Sequence, residues 1–302
     1  MLEGLRVVEM ATYVAAPAAG GILADWGADV IKVESPKGDP IRHFFAGTKA
    51  EDFGNPVFDL DNRGKRGIAL DVKTEAGATA MQALLAKADI FITNLRPGAL
   101  ARAGLDYETM KARNPGLIYG SVTGYGLEGA EADRPAMDMA AFWARSGMAM
   151  LTGRKGEPPL PMRIAVGDHT TGIALVAGIL AAVHDRAKTG QGRLVETSLL
   201  RTGIYSLGTD LSIQQRIGRV SSTKSRQEAA DPLTNVYPTK DDRWVMMLTR
   251  QGADDFEGYL KALGLDLSIM DDERFSSRRA RMKNRAEGIE LLDQGFVAYT
   301  LA

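Results

Sequence analysis

Short apolar runs alternate with helix-like stretches along most of the chain. Four runs rich in β-branched residues are Leu5–Met10, Ala28–Glu34, Asp89–Thr93 and Leu117–Ser121. Continuous apolar runs of this length are typical of strands that are buried on both faces. Between them, polar and apolar positions recur with helical spacing, as in Lys73–Ala86. This alternation predicts an α/β protein built on a Rossmann-like open sheet.

The stretch from Leu160 to Gly192 has a different pattern. A short apolar run ends at Gly167, the carboxylate of Asp168 follows, and a long apolar segment continues to Val183. The segment predicts a helix that is buried on most sides, because it has almost no polar face. Asp168 then lies at the helix N-terminus, where free N–H groups favour an anion. It is interpreted either as an N-cap or as a carboxylate nucleophile, and the pattern leaves both open.

The second part of the chain changes composition at Val220–Asp231, a polar stretch typical of a linker. We therefore expect a large domain over 1–222 and a smaller α+β domain over 223–302. Further elements are predicted from the same patterns: strands at 67–71, 193–197 and 244–248, and helices at 17–26, 134–149, 198–219, 252–263 and 279–302. The last helix ends on an apolar, uncapped sequence, so we expect that a segment returning to the large domain is missing.

Composition narrows the classes of function. The chain has 37 basic and 38 acidic residues, a balance that points to neither nucleic acid nor an anionic membrane surface. It has no cysteine, and its three histidines lack metal-binding spacing, so we expect no metal and no tightly bound cofactor. No uninterrupted apolar run reaches the ~18 residues of a membrane span, and the N-terminus is no signal peptide. These features predict a soluble, cytoplasmic protein.

The glycine pattern bears on nucleotide binding. Ala15–Gly21 lacks the first two glycines of the GxGxxG fingerprint, so a nicotinamide dehydrogenase is only weakly supported. The loop-rich segment Ser35–Asn62 carries Lys37 and Arg42, which could contact phosphates or belong to a solvated loop. Asn94 follows a predicted strand, at the sheet edge where open α/β sheets bind ligands.

Six segments, in this order, resemble the family III CoA-transferases, which include the formyl-CoA and carnitine CoA-transferases and the 2-methylacyl-CoA racemases. They are residues 2–39, 62–77, 94–105, 121–126, 167–182 (GDHTTGIALVAGILAA) and 188–200 (KTGQGRLVETSLL). The segment RPAMDMAAFWARSGM (134–148) further resembles members that act on 2-hydroxy acids such as phenyllactate and 2-hydroxyisocaproate. The resemblance covers essentially the whole chain.

The resemblance implies a covalent mechanism on Asp168. The carboxylate would attack an acyl-CoA to give a mixed anhydride, and the CoA thiolate would return to form an aspartyl-CoA thioester. A carboxylic acid would then accept the CoA. CoA contacts carried over from the family are Tyr13, Val14, Lys65, Asn94, Leu95 and Arg102. The resemblance also implies a homodimer with interlocked chains.

Two departures from the family pattern affect these expectations. Ser35 replaces an arginine found in many relatives, so phosphate contacts are expected at Lys37 or Arg42. Met137 stands where the racemases carry a histidine, which weakens the two-base racemase alternative. We interpret Met137 and His169 as substrate-lining residues. A CoA-binding protein without turnover is the alternative from another class.

Overall fold

The larger unit is built around a six-stranded parallel sheet. The structure is a computed structural model, which describes residues 1–49, 51–154, 156–249 and 254–301. The strands are β1 (Arg6–Met10), β2 (Asp29–Glu34), β3 (Arg66–Ala69), β4 (Ile90–Thr93), β5 (Ile118–Thr123) and β6 (Leu194–Ser198). Their order across the sheet is β3-β2-β1-β4-β5-β6, and every pair is parallel. This doubly wound order confirms the predicted Rossmann-like α/β fold.

Helices cover both faces of this sheet. They are α1 (Ala15–Asp25), α2 (Pro56–Asn62), α3 (Glu75–Leu85), α4 (Pro97–Arg102), α5 (Tyr107–Arg113), α6 (Val166–Thr189), α7 (Leu199–Ser206) and α8 (Gly208–Ile217). One apolar core lies between the sheet and the pair α1 and α6. A second core lies on the opposite face, under α3, α4 and α5. Strand order reverses between β1 and β4, so the carboxyl ends of these two strands mark the switch point.

Helix α6 differs from the sequence prediction. It packs on α1, β5 and β6, but its other face is open, and Ile173 is 59% exposed. The expectation that this helix is buried on most sides is therefore wrong. By length and hydropathy α6 also meets the test for a membrane span, which the uninterrupted apolar runs did not indicate. Its contacts with the sheet are those of a core helix.

Two other predicted helices take different forms. The predicted helix over 134–149 is a π-helical segment, Met139–Arg145, preceded by the buried carboxylate of Asp138. The predicted long helix after β6 is two helices, α7 and α8, which meet at Leu207. Single-turn π segments occur frequently at functional sites.

The smaller unit comprises residues 153–158 together with 221–302. Strands β7 (Thr234–Pro238) and β8 (Trp244–Leu248) form an antiparallel pair. Helices α9 (Phe256–Ala262), α10 (Arg278–Lys283) and α11 (Arg285–Phe296) follow. The predicted final helix is therefore broken at Asn284. The predicted start of α9 at residue 252 and the predicted end at residue 302 lie outside the described residues.

Candidate active site

The site is organised by the turn that follows β1. The Asn94 side chain, just after β4, accepts a hydrogen bond from Thr12 N (3.0 Å) and donates one to Thr12 O (2.7 Å). The next residue, Tyr13, has φ +62°, a left-handed conformation that is uncommon for a non-glycine residue. Its N–H donates to Asp39 Oδ1 (3.0 Å). The Tyr13–Val14 turn is thus held firmly at the switch point.

Helix α6 brings Asp168 to the same edge of the sheet. Gly192, just after α6, donates to Pro115 O, which lies shortly before β5 begins. The helix therefore runs antiparallel to the strands, and its N-terminus lies at their carboxyl edge. Gly172 packs on the start of α1, where a Cβ would lie 2.8 Å from Ala15 O. Asp168 lies one helical turn before Gly172, on the same face of α6, which is the face that packs on α1.

Asp168 does not cap this helix. The N-cap residue is Ala165, which has φ +69° and provides no side-chain cap. The buried carboxylate of Asp138 does the capping instead, since its Oδ2 accepts from Gly167 N (3.3 Å). Among the described residues, the Asp168 carboxylate has no hydrogen-bond or ion-pair partner. The N-cap interpretation is therefore wrong, and this carboxylate is free for chemistry.

Gly167 is required by the packing around it. An ideal Cβ there would lie 2.2 Å from Asp138 Oδ1 and 2.2 Å from Phe142 Cγ. Phe142 belongs to the π-helical segment and is 2% exposed. A side chain at position 167 would thus push apart the two groups that fix the start of α6.

The electrostatic environment opposes ionisation of Asp168. Burial, followed by the negative charge of the neighbouring Asp138, raises its pKa to about 7, and His169 acts in the opposite direction. Burial also raises the pKa of Asp138, although backbone N–H groups at the start of α6 partly offset this. Perturbed carboxyl groups of this kind are typical of functional sites.

His169 faces a buried carboxylate from another helix. Its Nε2 lies 3.0 Å from Asp61 Oδ1, and Asp61 is 1% exposed. The hydrogen bond to Asp61 raises the pKa of His169. His169 therefore carries more positive charge near neutral pH than a free imidazole does. Its partial exposure is compatible with the predicted substrate-lining role.

Two of the basic residues predicted to contact CoA or its phosphates, Lys65 and Arg42, already pair with carboxylates of this chain. Lys65, with a 2% exposed side chain, bonds Glu9 Oε2 (2.7 Å), Pro17 O (2.8 Å) and Asn62 Oδ1 (3.0 Å). Its ammonium is therefore held in the interior by these three partners. Arg42 forms a bidentate pair with Glu34, with distances of 2.8 and 2.7 Å.

The remaining predicted contacts differ in exposure. Lys37 and Arg102 are exposed, and neither forms an ion pair with a described residue. Val14 is 5% exposed, and Leu95 packs against the core below the sheet. Met137 is 59% exposed, next to Asp138. No cluster of His, Asp or Glu suited to a metal ion occurs among residues 1–49, 51–154, 156–249 and 254–301.

Comparisons with known proteins assign the class. The sequence model of CoA-transferase family III matches residues 2–302, so the chain belongs to this family. It is 36% identical to (R)-2-hydroxy-4-methylpentanoate CoA-transferase of Clostridioides difficile, over 100% of this chain and 75% of that protein. It is also 36% identical to cinnamoyl-CoA:phenyllactate CoA-transferase of Clostridium sporogenes, over 99% and 74% respectively.

A solved structure supports the same assignment. A CAIB/BAIF family protein from Brucella suis superposes with a TM-score of 0.87 at 33% identity, covering 99% of this chain and 78% of that one. The protein is thus a family III CoA-transferase, and the substrates of this enzyme class are CoA thioesters. The family resemblance of the sequence is confirmed.

Proposed function

We propose that this enzyme transfers CoA from an acyl-CoA to a free carboxylic acid through covalent intermediates on Asp168. The observation that carries the proposal is an unpartnered carboxylate in the first turn of a core helix, whose N-terminus lies at the carboxyl edge of the sheet. A carboxylate is a weak nucleophile, so it must be held close to the thioester and partly removed from water. The burial of Asp168 supports both conditions.

The chemistry proceeds by successive acyl transfers. An Asp168 oxygen attacks the thioester carbonyl, and the C–S bond breaks to give a mixed anhydride and the CoA thiolate. The thiolate attacks the aspartyl carbonyl, which releases the donor acid and leaves an aspartyl-CoA thioester. The acceptor carboxylate then displaces CoA to form a second anhydride, and the thiolate attacks its acyl carbonyl. New acyl-CoA leaves, and the Asp168 carboxylate is regenerated.

CoA binding is proposed along the carboxyl edge of the sheet. The Tyr13–Val14 turn offers its backbone and the first N–H groups of α1, which have no acceptor within the helix. Asn94 and Leu95 support this turn from β4. Exposed Lys37 and Arg102 are the proposed phosphate contacts. Because Lys65 and Arg42 are already paired, we assign Lys65 to holding α1 through Pro17 O.

The acceptor is proposed to be a 2-hydroxy acid. Two similar proteins are named as transferases of 2-hydroxy-4-methylpentanoate and phenyllactate. Exposed Met137 and partly exposed His169 lie next to Asp138 and Asp168, where they could line the acyl pocket. Met137 has no titratable group, so it cannot supply the second acid/base group that a two-base racemase needs.

A homodimer is also proposed, and it remains a prediction, as does a cytoplasmic location. Apolar side chains are open on three helices of the larger unit: Ile173 (59% exposed), Tyr205 (86%) and Ile217 (66%). Exposed apolar patches of this kind are typical of association surfaces. Sedimentation of the full chain should show two copies, and a monomer at micromolar concentration would contradict the proposal.

Intact-mass spectrometry after brief incubation with a panel of acyl-CoAs tests the covalent mechanism. The wild type should gain a CoA-sized adduct that a carboxylic acid, 2-hydroxy acids first, discharges. Asp168→Ala should fold, because the side chain makes no hydrogen bond, and should gain no adduct. Asp185→Ala is the control: it deletes a carboxylate near the other end of the same helix, and this variant should gain the adduct as the wild type does.

Two outcomes would overturn the proposal. One is CoA transfer by Asp168→Ala at the wild-type rate. The other is measurable CoA binding without an adduct from any donor, which would favour a CoA-binding protein without turnover. Deuterium exchange at the acyl α-carbon in the absence of transfer would favour the racemase.

A further inference from the structure

The Asp61 carboxylate is buried, and only one of its oxygens has a partner. Oδ1 meets His169 Nε2 at 3.0 Å, whereas Oδ2 is buried with no hydrogen-bond partner among the described residues. A buried carboxylate with an unpaired oxygen is costly unless a positive charge compensates it. His169 is the side chain that contacts this carboxylate, and in its protonated form it supplies the compensating positive charge.

Asp61 is held in place independently of the site. It lies near the end of α2, whose N-cap Asn55 accepts from Phe58 N. Helix α2 packs closely on α1, since a Cβ on Gly21 would lie 2.9 Å from Asp61 O. The position of the Asp61 carboxylate therefore does not depend on His169. The carboxylate fixes the position of the His169 imidazole through the hydrogen bond between them.

The charges around His169 come from three elements. Asp61 faces it from α2, Asp138 from the segment before the π-helix, and Asp168 precedes it on α6. Lys65 also acts on Asp61 from the buried network. Three carboxyl groups thus surround one imidazole. An imidazolium here offsets the repulsion that Asp138 and Asp61 exert on an ionised Asp168.

We propose that Asp61 is a positioning residue that keeps His169 cationic and fixed in orientation, and that this imidazolium favours the ionised, nucleophilic form of Asp168. The proposal rests on the transferase mechanism given above. Its electrostatic part is independent of turnover, because two titrating groups that interact must affect each other reciprocally.

The first test is a titration of His169 by NMR in the full-length protein. The chain has only three histidines, so His43→Gln and His184→Gln variants assign the signals. Asp61→Asn, which preserves shape, should lower the pKa of His169. Asp168→Asn should lower it as well, whereas the matched control variant Asp185→Asn should leave it unchanged. A His169 titration that is the same in wild type and Asp168→Asn would overturn the proposal, with no substrate involved.

The second test is the pH profile of aspartyl adduct formation in a single turnover. In Asp61→Asn and His169→Gln alike, the acidic limb should move to higher pH, slowing the reaction at about pH 6 by about three- to tenfold. In Asp61→Asn the rate at high pH should stay within a few-fold of wild type, and the double variant should show no additional shift of the acidic limb. Asp61→Glu, which keeps the charge, should recover part of the loss.

Different failures have different meanings. A uniform loss at every pH, with the limb unmoved, would overturn the proposal and leave Asp61 a structural role. If Asp61→Asn does not fold, His169→Gln decides the question through the same profile. If the wild type forms no adduct at all, the covalent mechanism fails, while the NMR titration still decides whether Asp61, His169 and Asp168 are coupled.

Discussion

Replacing Asp168 by asparagine should stabilise the protein at neutral and alkaline pH while abolishing transfer. The carboxyl group is partly buried, it lacks a partner among the described residues, and burial together with Asp138 raises its pKa from 3.8 to about 7. Above that pH the folded protein must hold a poorly solvated charge. Asparagine has the same shape and no charge, so it avoids this cost.

The magnitude follows from the difference between the two pKa values. A rise from 3.8 to about 7 corresponds to an upper limit of about 4 kcal/mol at ~1.36 kcal/mol per unit. Partial exposure of the group reduces this to about 1–2 kcal/mol. The native carboxyl keeps its proton up to about pH 7, whereas the unfolded one releases it near pH 4. The free energy of unfolding of the wild type therefore falls across this window, and asparagine avoids the fall.

Urea unfolding followed by tryptophan fluorescence at several pH values measures the effect. The advantage of Asp168→Asn should be absent at about pH 4, grow through the window and be complete above about pH 7. Asp185→Asn is the matched control, because Asp185 lies on the same helix with a 40% exposed side chain and pairs with Arg193 at 2.7 Å. A difference that does not vary with pH, or an asparagine variant that is less stable at about pH 8, would refute the argument.

Two further substitutions test the support around the site by urea unfolding and adduct formation. Gly167→Ala places a methyl group 2.2 Å from Asp138 Oδ1. It should therefore lower the free energy of unfolding by about 1–3 kcal/mol and slow adduct formation at least about tenfold. Gly208→Ala is the control, because its Cβ would meet nothing within 4 Å, and it should change neither quantity. Glu9→Gln leaves two buried lysines undercompensated and should cost about 3–5 kcal/mol. The control Glu131→Gln, at a partly exposed ion pair, should cost less than about 1 kcal/mol. Equal costs within either pair would contradict the packing or ion-pair argument.

The fold was accessible from the sequence because its signals are local. Four strands of the parallel sheet, β1, β2, β4 and β5, are short and mostly apolar runs, and they lie within two residues of their predicted bounds. The position of Asn94 after β4 was likewise predictable, since strand ends are visible in the sequence. Long-range packing has no such local signal.

The exposed face of α6 shows this limit. Apolar composition predicted burial on most sides, yet Ile173 is open in the described structure. Apolar composition indicates that a helix surface is suited to apolar contacts. It does not indicate whether another part of the same compact unit makes those contacts. For the same reason, the capping of α6 by Asp138 and the pairing of His169 with Asp61, 108 residues away, left no recognisable pattern.

The buried ion pairs around Lys65 had a signal in the sequence. Two neighbouring strands each carry a charge within an apolar run, Glu9 in β1 and Lys32 in β2. Charges buried in a parallel sheet must be paired. With one acid and one base facing each other, a further base in the same interior implies a further acid. That acid is Asp39, which pairs with Lys32 at 3.0 Å.

This buried network also explains how backbone strain persists at the candidate active site. Asp39 accepts from the N–H of Tyr13, whose φ is +62°, and Lys65 at the other end binds Pro17 O on the far side of the same turn. The buried ion pairs link Asp39, Lys32, Glu9 and Lys65 in that order. The two ends of this network therefore hydrogen-bond to the turn at Tyr13 N and at Pro17 O. Strained backbone persists only where its surroundings over-determine it. An intact buried ion pair contributes little net stability relative to apolar side chains of similar volume, although removing one partner, as in Glu9→Gln, is costly. We therefore attribute the role of the intact network to the geometry of the turn.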